Sequence, residues 1–170
     1  MAQRSSESVL FRFAPRADQD TMVPALFLAL ALFAPLAAAQ QTGPLSVECL
    51  GCICEAVSNC NRTLTCSGDV CGLFRITWAY WSDAGKPVLQ GDNPGADGAY
   101  ARCTVDPYCA ALTVQQYMTK YSQDCNQDGQ VDCTDFARIH RLGGYGCGAP
   151  LDPVYEQKYV TCINHVQTLG

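Results

Sequence analysis

The chain has 170 residues and a formal net charge of −5 at pH 7, with 16 acidic against 11 basic residues. A negative protein gains no long-range attraction to DNA or RNA, so nucleic acid is not expected as a partner. All twelve cysteines follow residue 48, and an even number at this density predicts a disulfide framework in an exported protein. A zinc site would need repeated Cys-x-x-Cys pairs, and only Cys49 and Cys52 form one, so zinc is not expected.

The first 39 residues are expected to be a leader segment rather than part of the fold. Residues 22–39 form an apolar run that ends in small residues, as in a secretory signal peptide, and Met22 is an alternative start of translation. Two prolines interrupt this run, which favours a cleaved signal over a retained membrane anchor. The sequence therefore predicts a secreted, extracellular protein whose single domain covers residues 40–170.

The first regular elements of this domain follow the first cysteines. Offsets of three and four residues predict a helix over residues 49–58, with Leu50, Ile53 and Val57 packed on one face. Residues 73–81 alternate and are rich in β-branched and aromatic side chains, which is typical of a strand but also of a buried helix. Both interpretations of this second segment stay open.

The second half of the domain begins with a loop over residues 86–99, which are rich in proline and glycine. The clearest helix then covers residues 109–121, and a further helix is predicted over residues 134–141, ending before Gly143. The side chains expected along one side of the clearest helix are Leu112, Val114 or Gln116, Tyr117 and Tyr121.

Residues 124–135 have the spacing of a calcium-binding loop of the EF-hand or dockerin type. Oxygen-bearing side chains recur through it, and the six candidate ligands are Asp124, Asn126, Asp128, Gln130, Asp132 and Asp135. Against a metal site, the cysteines at 125 and 133 tie the loop elsewhere, and turns rich in Asp and Asn occur without metal. The sequence therefore leaves calcium as one interpretation and a loop that needs no cofactor as the other.

Three cysteine-anchored segments of the chain resemble the invertebrate-type lysozymes, the destabilase family. They read CLGCICEAVSNC, CGLFRITWAYWSDAG and YCAALTVQQYMTKYSQDCNQDGQVDCTDFARIHRLGGYGC, and the resemblance covers roughly Cys49 to Cys162. It implies an α+β fold, a small disulfide-rich lysozyme-like domain of mainly short helices with a small β-hairpin. It also implies a glycoside hydrolase of bacterial peptidoglycan, of the antibacterial or digestive class, and in some members an isopeptidase.

The same resemblance implies a cysteine pairing that leaves no free thiol. The pairs carried over from the family are Cys49–Cys133, Cys52–Cys162, Cys54–Cys60, Cys66–Cys71, Cys103–Cys109 and Cys125–Cys147. Each bridge is expected to stabilise the domain by about 2 to 4 kcal/mol.

The catalytic positions that the resemblance implies are Val57 for the proton donor and Asp69 for the second carboxylate. Glycoside hydrolysis needs one protonated and one ionised carboxyl group, and valine has no proton to donate. Glu55 lies about 200° around the helix axis from Val57, so it is not expected to replace the acid. Loss of a general acid removes a factor of about 10² to 10⁴ in rate, so muramidase activity is expected to be weak or absent.

An intact cleft without its acid would make the chain a non-catalytic protein that binds peptidoglycan or another carbohydrate. The residues expected to contact sugar are Thr77, Trp78, Tyr80, Trp81, Asp83, Tyr117, Tyr121, His140, Gly143 and Gly144. Aromatic faces suit saccharide rings, although Trp78 and Tyr117 also fit a role in the core. An isopeptidase would need a nucleophile beside a base, for which Ser58 and His140 are the candidates.

Overall fold

The computed structural model describes residues 44–169. The predicted leader, residues 1–39, lies outside the described residues. Within residues 44–169, no helix combines the length and the apolar character that a membrane span requires.

The described residues form six helices and one small sheet. In chain order the elements are α1 (Val47–Ser58), β1 (Cys66–Ser67), β2 (Val70–Cys71), β3 (Ile76–Thr77), α2 (Trp78–Asp83), α3 (Ala99–Val105), α4 (Pro107–Tyr121), α5 (Cys133–Leu142) and α6 (Pro153–Leu169). The three strands are antiparallel in the order β1-β2-β3. This architecture confirms the α+β prediction, with the expected hairpin extended by a third short strand.

Helix α1 begins where the Ser46 hydroxyl accepts a hydrogen bond from the Cys49 N–H at 3.1 Å. It ends at Asn59, which adopts a left-handed conformation with φ of 54°. One face of the helix is buried and includes Ile53, while Val57 and Leu50 are only half-buried. The helix packs mainly against α6, and this leaves the Val57 end of the helix beside the sheet and α5.

The segment that fitted either a strand or a buried helix contains both. Ile76 and Thr77 form β3, and α2 begins directly after them. The change occurs because the Thr77 hydroxyl accepts a hydrogen bond from the Tyr80 N–H at 3.2 Å, which caps the first turn of the helix. The strand and the helix are each too short for their own periodicity to dominate the pattern of residues 73–81.

Helix α4 is the predicted central helix, and it begins at Pro107 after the Asp106 cap. Its buried face is wider than expected and contains Cys109, Ala110, Thr113, Val114, Tyr117, Met118 and Tyr121. Leu112, expected on the same side of the helix as Tyr117 and Tyr121, is 46% exposed, whereas those two residues are buried. Leu112 therefore does not belong to the buried face of α4.

Two helices, α3 and α6, were not predicted. In α6 the apolar residues Tyr155, Tyr159, Cys162 and Val166 stand at offsets of three and four residues, which is the signal that would have found it. Exposed Val154 and Val160 lie between them and weaken that pattern.

Six disulfides link these elements, and they join the same pairs of cysteines as the family resemblance implies. Two bridges close long stretches of chain: Cys49–Cys133 ties α1 to α5, and Cys52–Cys162 ties α1 to α6. Their sequence separations are 84 and 110 residues. In the chain-entropy account, loops of this length are each worth about 4 to 5 kcal/mol. They hold α1, and therefore Val57, in a fixed position against α5.

Candidate functional site

A cleft of about 430 Å³ opens between α1, the sheet, α2, α4 and α5. Each of these elements contributes at least one side chain to it. The lining consists of Val57, Val70, Arg75, Thr77, Ala79, Tyr80, Asp83, Tyr117, His140, Arg141 and Gly143.

Val57 contributes an apolar, half-buried wall at the end of α1. Glu55, two residues earlier, is exposed and borders a different surface groove together with Lys158 and His165 of α6. The helical rotation between the two positions thus keeps the Glu55 carboxylate out of the cleft lining. The backbone change that Glu55 would need to replace an acid at position 57 is not present.

Two tyrosines and a histidine form a hydrogen-bonded floor in the cleft. The rings of Tyr80 and Tyr117 stack with centroids 3.6 Å apart, and the Tyr80 hydroxyl lies 3.2 Å from His140 Nδ1. His140 Nε2 lies 3.0 Å from the Phe74 carbonyl oxygen, which can only accept, so Nε2 carries the proton and Nδ1 accepts from Tyr80. Burial lowers the pKa of His140 to about 4, so the ring is neutral at pH 7.

The charged side chains of the cleft differ in whether they have a partner. Asp83 pairs with Lys120 at 2.9 Å, and this hydrogen bond lowers the pKa of the Asp83 carboxyl. Arg141 pairs with Asp152 at 2.7 Å. The Arg75 guanidinium makes no hydrogen bond or ion pair with any residue between 44 and 169. The cleft therefore contains one cation whose charge the described residues do not compensate.

Asp69, the predicted second carboxylate, lies in the exposed turn between β1 and β2. It directly precedes Val70, which lines the cleft, but Asp69 itself is not part of the lining. Its backbone oxygen accepts a hydrogen bond from the Tyr100 hydroxyl at 2.7 Å, which fixes the turn. The catalytic role of Asp69 stays a prediction.

Six of the ten predicted sugar-contacting residues share the cleft: Thr77, Tyr80, Asp83, Tyr117, His140 and Gly143. Trp81 does not, because its side chain is 2% exposed and its indole N–H donates to the Pro87 carbonyl at 2.7 Å. Tyr121 is also buried, and Gly144 packs against its ring so closely that an added Cβ would lie 2.2 Å from Tyr121 Cδ1. These three residues are buried and do not line this cleft, and sugar contact by them stays a prediction.

Trp78 lies in a second, neighbouring groove of about 390 Å³. Its side chain is 52% exposed, which removes the alternative role in the core. The Lys86 ammonium stands 5.5 Å from the centre of the Trp78 ring, and the loop from Pro94 to Ala99 forms the other wall. Trp78 thus presents an aromatic face to solvent beside Thr77 of the cleft.

Sequence reasoning missed Arg75, Arg141, Val70 and Ala79. The sequence contained a signal that the two arginines lie near the cleft, since Arg75 stands two residues before Thr77 and Arg141 directly follows His140. Their charge alone gave no indication, because solvated surface arginines are common. Only the packing of α5 beside the sheet brings both cations to one cleft.

The nucleophile and base that an isopeptidase would need are engaged elsewhere. The Ser58 hydroxyl donates to the Leu73 carbonyl at 2.5 Å, and both nitrogens of His140 have the partners described above. No hydrogen bond joins Ser58 to His140 in the described part of the chain. The geometry therefore offers no activated serine.

The Asp-rich loop, residues 124–135, turns its carboxylates towards its own backbone. Asp124 accepts hydrogen bonds from three consecutive N–H groups, those of residues 127–129. Asp135 is fully buried and accepts from the N–H groups of Cys125, Asn126 and Asp132.

In this conformation both oxygens of Asp135 accept backbone N–H groups. Over residues 44–169 no group of three or more His, Cys, Asp or Glu side chains is arranged to hold a metal ion. Calcium binding by this loop stays a prediction, and a loop that needs no cofactor stays its alternative.

Comparison with protein families gives one match that covers most of the described residues. The model of the family described as Destabilase matches residues 46–162. This span contains the cleft, both carried-over catalytic positions and all six disulfides.

Individual relatives agree with this match. The chain is 36% identical over 106 residues to invertebrate-type lysozyme 6 of Caenorhabditis elegans, covering 60% of this chain and 75% of that protein. It is 37% identical over 109 residues to the lysozyme of Meretrix lusoria, covering 62% and 80%. It is 36% identical over 120 residues to the lysozyme of Magallana gigas, covering 67% and 77%.

The fold also resembles solved structures. The crystal structure of Aeromonas hydrophila PliI in complex with Meretrix lusoria lysozyme matches with a TM-score of 0.57 and 32% identity, covering 71% of this chain and 93% of the matched chain. Tapes japonica lysozyme matches with a TM-score of 0.53 and 30% identity, covering 71% and 89%.

Proposed function

Because the chain belongs to the destabilase family, the family of the invertebrate-type lysozymes, we propose that it is a secreted, non-catalytic member that binds the polysaccharide of bacterial cell walls. The observation that carries this proposal is Val57, an apolar side chain in the wall of the cleft. The family resemblance assigns the proton donor to this position. A glycosidase must protonate the leaving oxygen, and an isopropyl group has no proton to give.

No other group in the cleft lining suits the role of general acid. Asp83 is the one carboxylic acid there among the described residues, and its hydrogen bond to Lys120 lowers its pKa, whereas a proton donor needs a raised one. His140 is neutral and donates its one N–H to a carbonyl. Burial raises the pKa of Tyr80 well above its usual value, so the phenol is a weaker acid than in water. Hydrolysis is therefore expected to be slow.

The cleft contains side chains that suit carbohydrate binding. Tyr80 and Thr77 line the cleft, and the exposed ring of Trp78 extends the same surface into the neighbouring groove. Aromatic faces and hydroxyl groups are the side chains that match the apolar and polar faces of sugar rings. Together the two grooves provide room for more than one sugar unit of a chain.

Secretion is supported by the cysteines. Disulfides form and persist mainly in oxidising compartments, and every cysteine of the described residues is in one of the six bridges. Expression of the full chain in animal cells, followed by N-terminal sequencing of the protein in the medium, tests this part. We expect a mature protein that begins near Gln40, whereas retention of the whole chain inside the cell would contradict it.

The central test combines co-sedimentation with insoluble peptidoglycan and a turbidity assay on bacterial walls. We expect the wild-type protein to sediment with peptidoglycan without clearing the suspension. Val57→Glu restores a carboxyl group, and Val57→Gln is its matched control with the same shape and no acid. We expect lysis from Val57→Glu above that of Val57→Gln, by up to a factor of about 10² to 10⁴.

Two outcomes would overturn the proposal. Lysis by the wild-type protein that disappears in Asp69→Ala would show an active muramidase. Absence of wild-type protein from the peptidoglycan pellet, with a folded protein in the supernatant, would exclude wall binding.

A further inference from the structure

The charge of the cleft is opposite to that of the protein. The whole chain has a net charge of −5, whereas the cleft lining has two arginines against one aspartate and a neutral histidine. A positive site on a negative protein is not explained by general composition. It indicates local attraction to an anionic group.

Arg75 is the residue whose charge is available in this site. Arg141 is held by Asp152, and Asp83 is held by Lys120, so these charges are already compensated. The Arg75 guanidinium has no partner among residues 44–169, although the residue is half-buried.

The backbone holds Arg75 in an uncommon conformation. Its φ is 54°, in the left-handed region that side-chain-bearing residues rarely adopt. The Arg75 backbone N–H donates to the Gly72 carbonyl at 3.0 Å. Gly72 packs so closely on α3 that an added Cβ would lie 1.8 Å from the backbone carbonyl oxygen of Thr104. These two contacts hold the turn in place. The point at which the Arg75 side chain leaves the backbone is therefore also held in place.

The surroundings of Arg75 strengthen its attraction to an anion. Val57, in the same lining, supplies an apolar wall where the family places a carboxyl group, so no negative side chain at that position competes for the guanidinium. A guanidinium binds a carboxylate through two parallel N–H···O hydrogen bonds, and an apolar neighbour reduces the competition from water.

We propose that the cleft selects saccharides that carry a carboxylate, and that Arg75 binds this group. The inference rests on the proposed function, since it names the chemical class of the bound sugar. Two sources present the same chemistry. One is the lactyl carboxylate of a muramic acid unit that has lost its peptide, and the other is the ring carboxylate of a uronic acid.

Calorimetric titration with four tetrasaccharides tests the proposal. The first alternates N-acetylglucosamine with N-acetylmuramic acid, and the second is the same molecule with its lactyl carboxyls amidated. The third alternates N-acetylglucosamine with glucuronic acid, and the fourth is chitotetraose, which is neutral. We expect at least one carboxylated probe to bind about tenfold more tightly than the neutral probes, the amidated muramic oligomer and chitotetraose.

Variants identify Arg75 as the source of this preference. Arg75→Gln is expected to reduce affinity for the carboxylated probe to that for the neutral probes, and Arg75→Lys is expected to retain part of the preference. Arg62→Gln removes the same charge from an exposed position outside the cleft and is expected to change nothing. Thermal unfolding of each variant checks that the fold is intact.

The outcomes separate the two proposals. Equal binding of all four probes, unchanged in Arg75→Gln, would overturn the carboxylate inference and leave carbohydrate binding in place. If the protein binds none of the four probes and does not bind peptidoglycan, the proposed function is overturned. Preference for the glucuronic acid probe alone would support the inference and assign the carboxylate to a uronic acid.

Discussion

The cleft and the Asp-rich loop both contain residues whose chemistry suggests a ligand, but they use those residues differently. In the loop, Asp124 and Asp135 each accept three backbone N–H groups, so the carboxylates complete the local fold. In the cleft, the Arg75 guanidinium has no partner between residues 44 and 169. A ligand-like spacing in sequence is therefore a weaker sign of a site than an uncompensated group in a concave surface.

The largest effect is expected in the loop. Asp135→Ala removes a buried carboxylate and leaves three N–H groups without their acceptor. We expect the free energy of unfolding to fall by about 4 kcal/mol. Asp128→Ala, at an exposed position of the same loop, should cost less than about 1 kcal/mol. Guanidinium unfolding with intact disulfides measures both, and equal losses would remove the distinction between the buried Asp135 carboxylate and the exposed Asp128 carboxylate.

The next effect concerns His140 in the cleft floor, whose pKa is lowered to about 4 by burial. The folded protein therefore favours the neutral ring, and the unfolded chain, with a pKa near 6.5, binds the proton first as pH falls. The stability contributed by His140 is complete above pH 6.5 and is lost towards pH 4. We expect a loss of about 2 kcal/mol between pH 7 and 5.

Two histidine variants identify the source of this pH dependence in denaturant titrations. His140→Gln is expected to flatten the dependence between pH 7 and 5. His165→Gln, at an exposed position of α6, should leave it unchanged. An unaltered pH profile in His140→Gln would show that the cleft histidine is not held neutral by the fold.

A smaller effect links Arg75 to an acid introduced at position 57. A carboxyl group introduced by Val57→Glu would share the cleft with Arg75 and Arg141, and nearby cations lower the pKa of a carboxyl. The restored acid would then be largely ionised. We expect the double variant Val57→Glu with Arg75→Gln to clear bacterial walls about tenfold faster than Val57→Glu alone. Slower clearing by the double variant would mean that Arg75 assists the reaction instead.

The smallest expected effect is that of calcium. Because the loop carboxylates already bind backbone N–H groups, we expect protein stripped with a chelator to show no heat on titration with calcium. The melting temperature should then change by less than about 1 °C, since a ligand that does not bind adds no stability. A clear rise with calcium that is lost in Asp124→Ala would instead support the metal site that the spacing suggests.

Much of the fold was accessible from the sequence because its determinants are local. The helix over 49–58 and the helix over 109–121 were predicted within two residues of α1 and α4, since repeating apolar offsets and caps are written in neighbouring positions. The same local rule correctly placed Glu55 away from Val57, because helical rotation depends only on sequence spacing.

The errors occurred where the environment of a side chain depends on distant elements. Trp81 and Trp78 belong to one aromatic run, yet Trp81 is buried and Trp78 is half exposed. Their difference arises from the orientation of α2 against the core, which no pattern within residues 73–81 specifies. Tyr121 was assigned to the cleft for the same reason, and the close approach of Gly144 places it in the core.

The sequence by itself determined the cysteine framework, the family and the presence of valine at position 57, because residue identity and spacing carry these facts directly. The tertiary structure alone decided which polar groups are available to a ligand. It closed the carboxylates of the Asp-rich loop onto the backbone and brought Arg75 beside Val57 and His140 in one cleft. Availability depends on partners that lie far apart in the chain, and only the folded arrangement shows whether each partner is present.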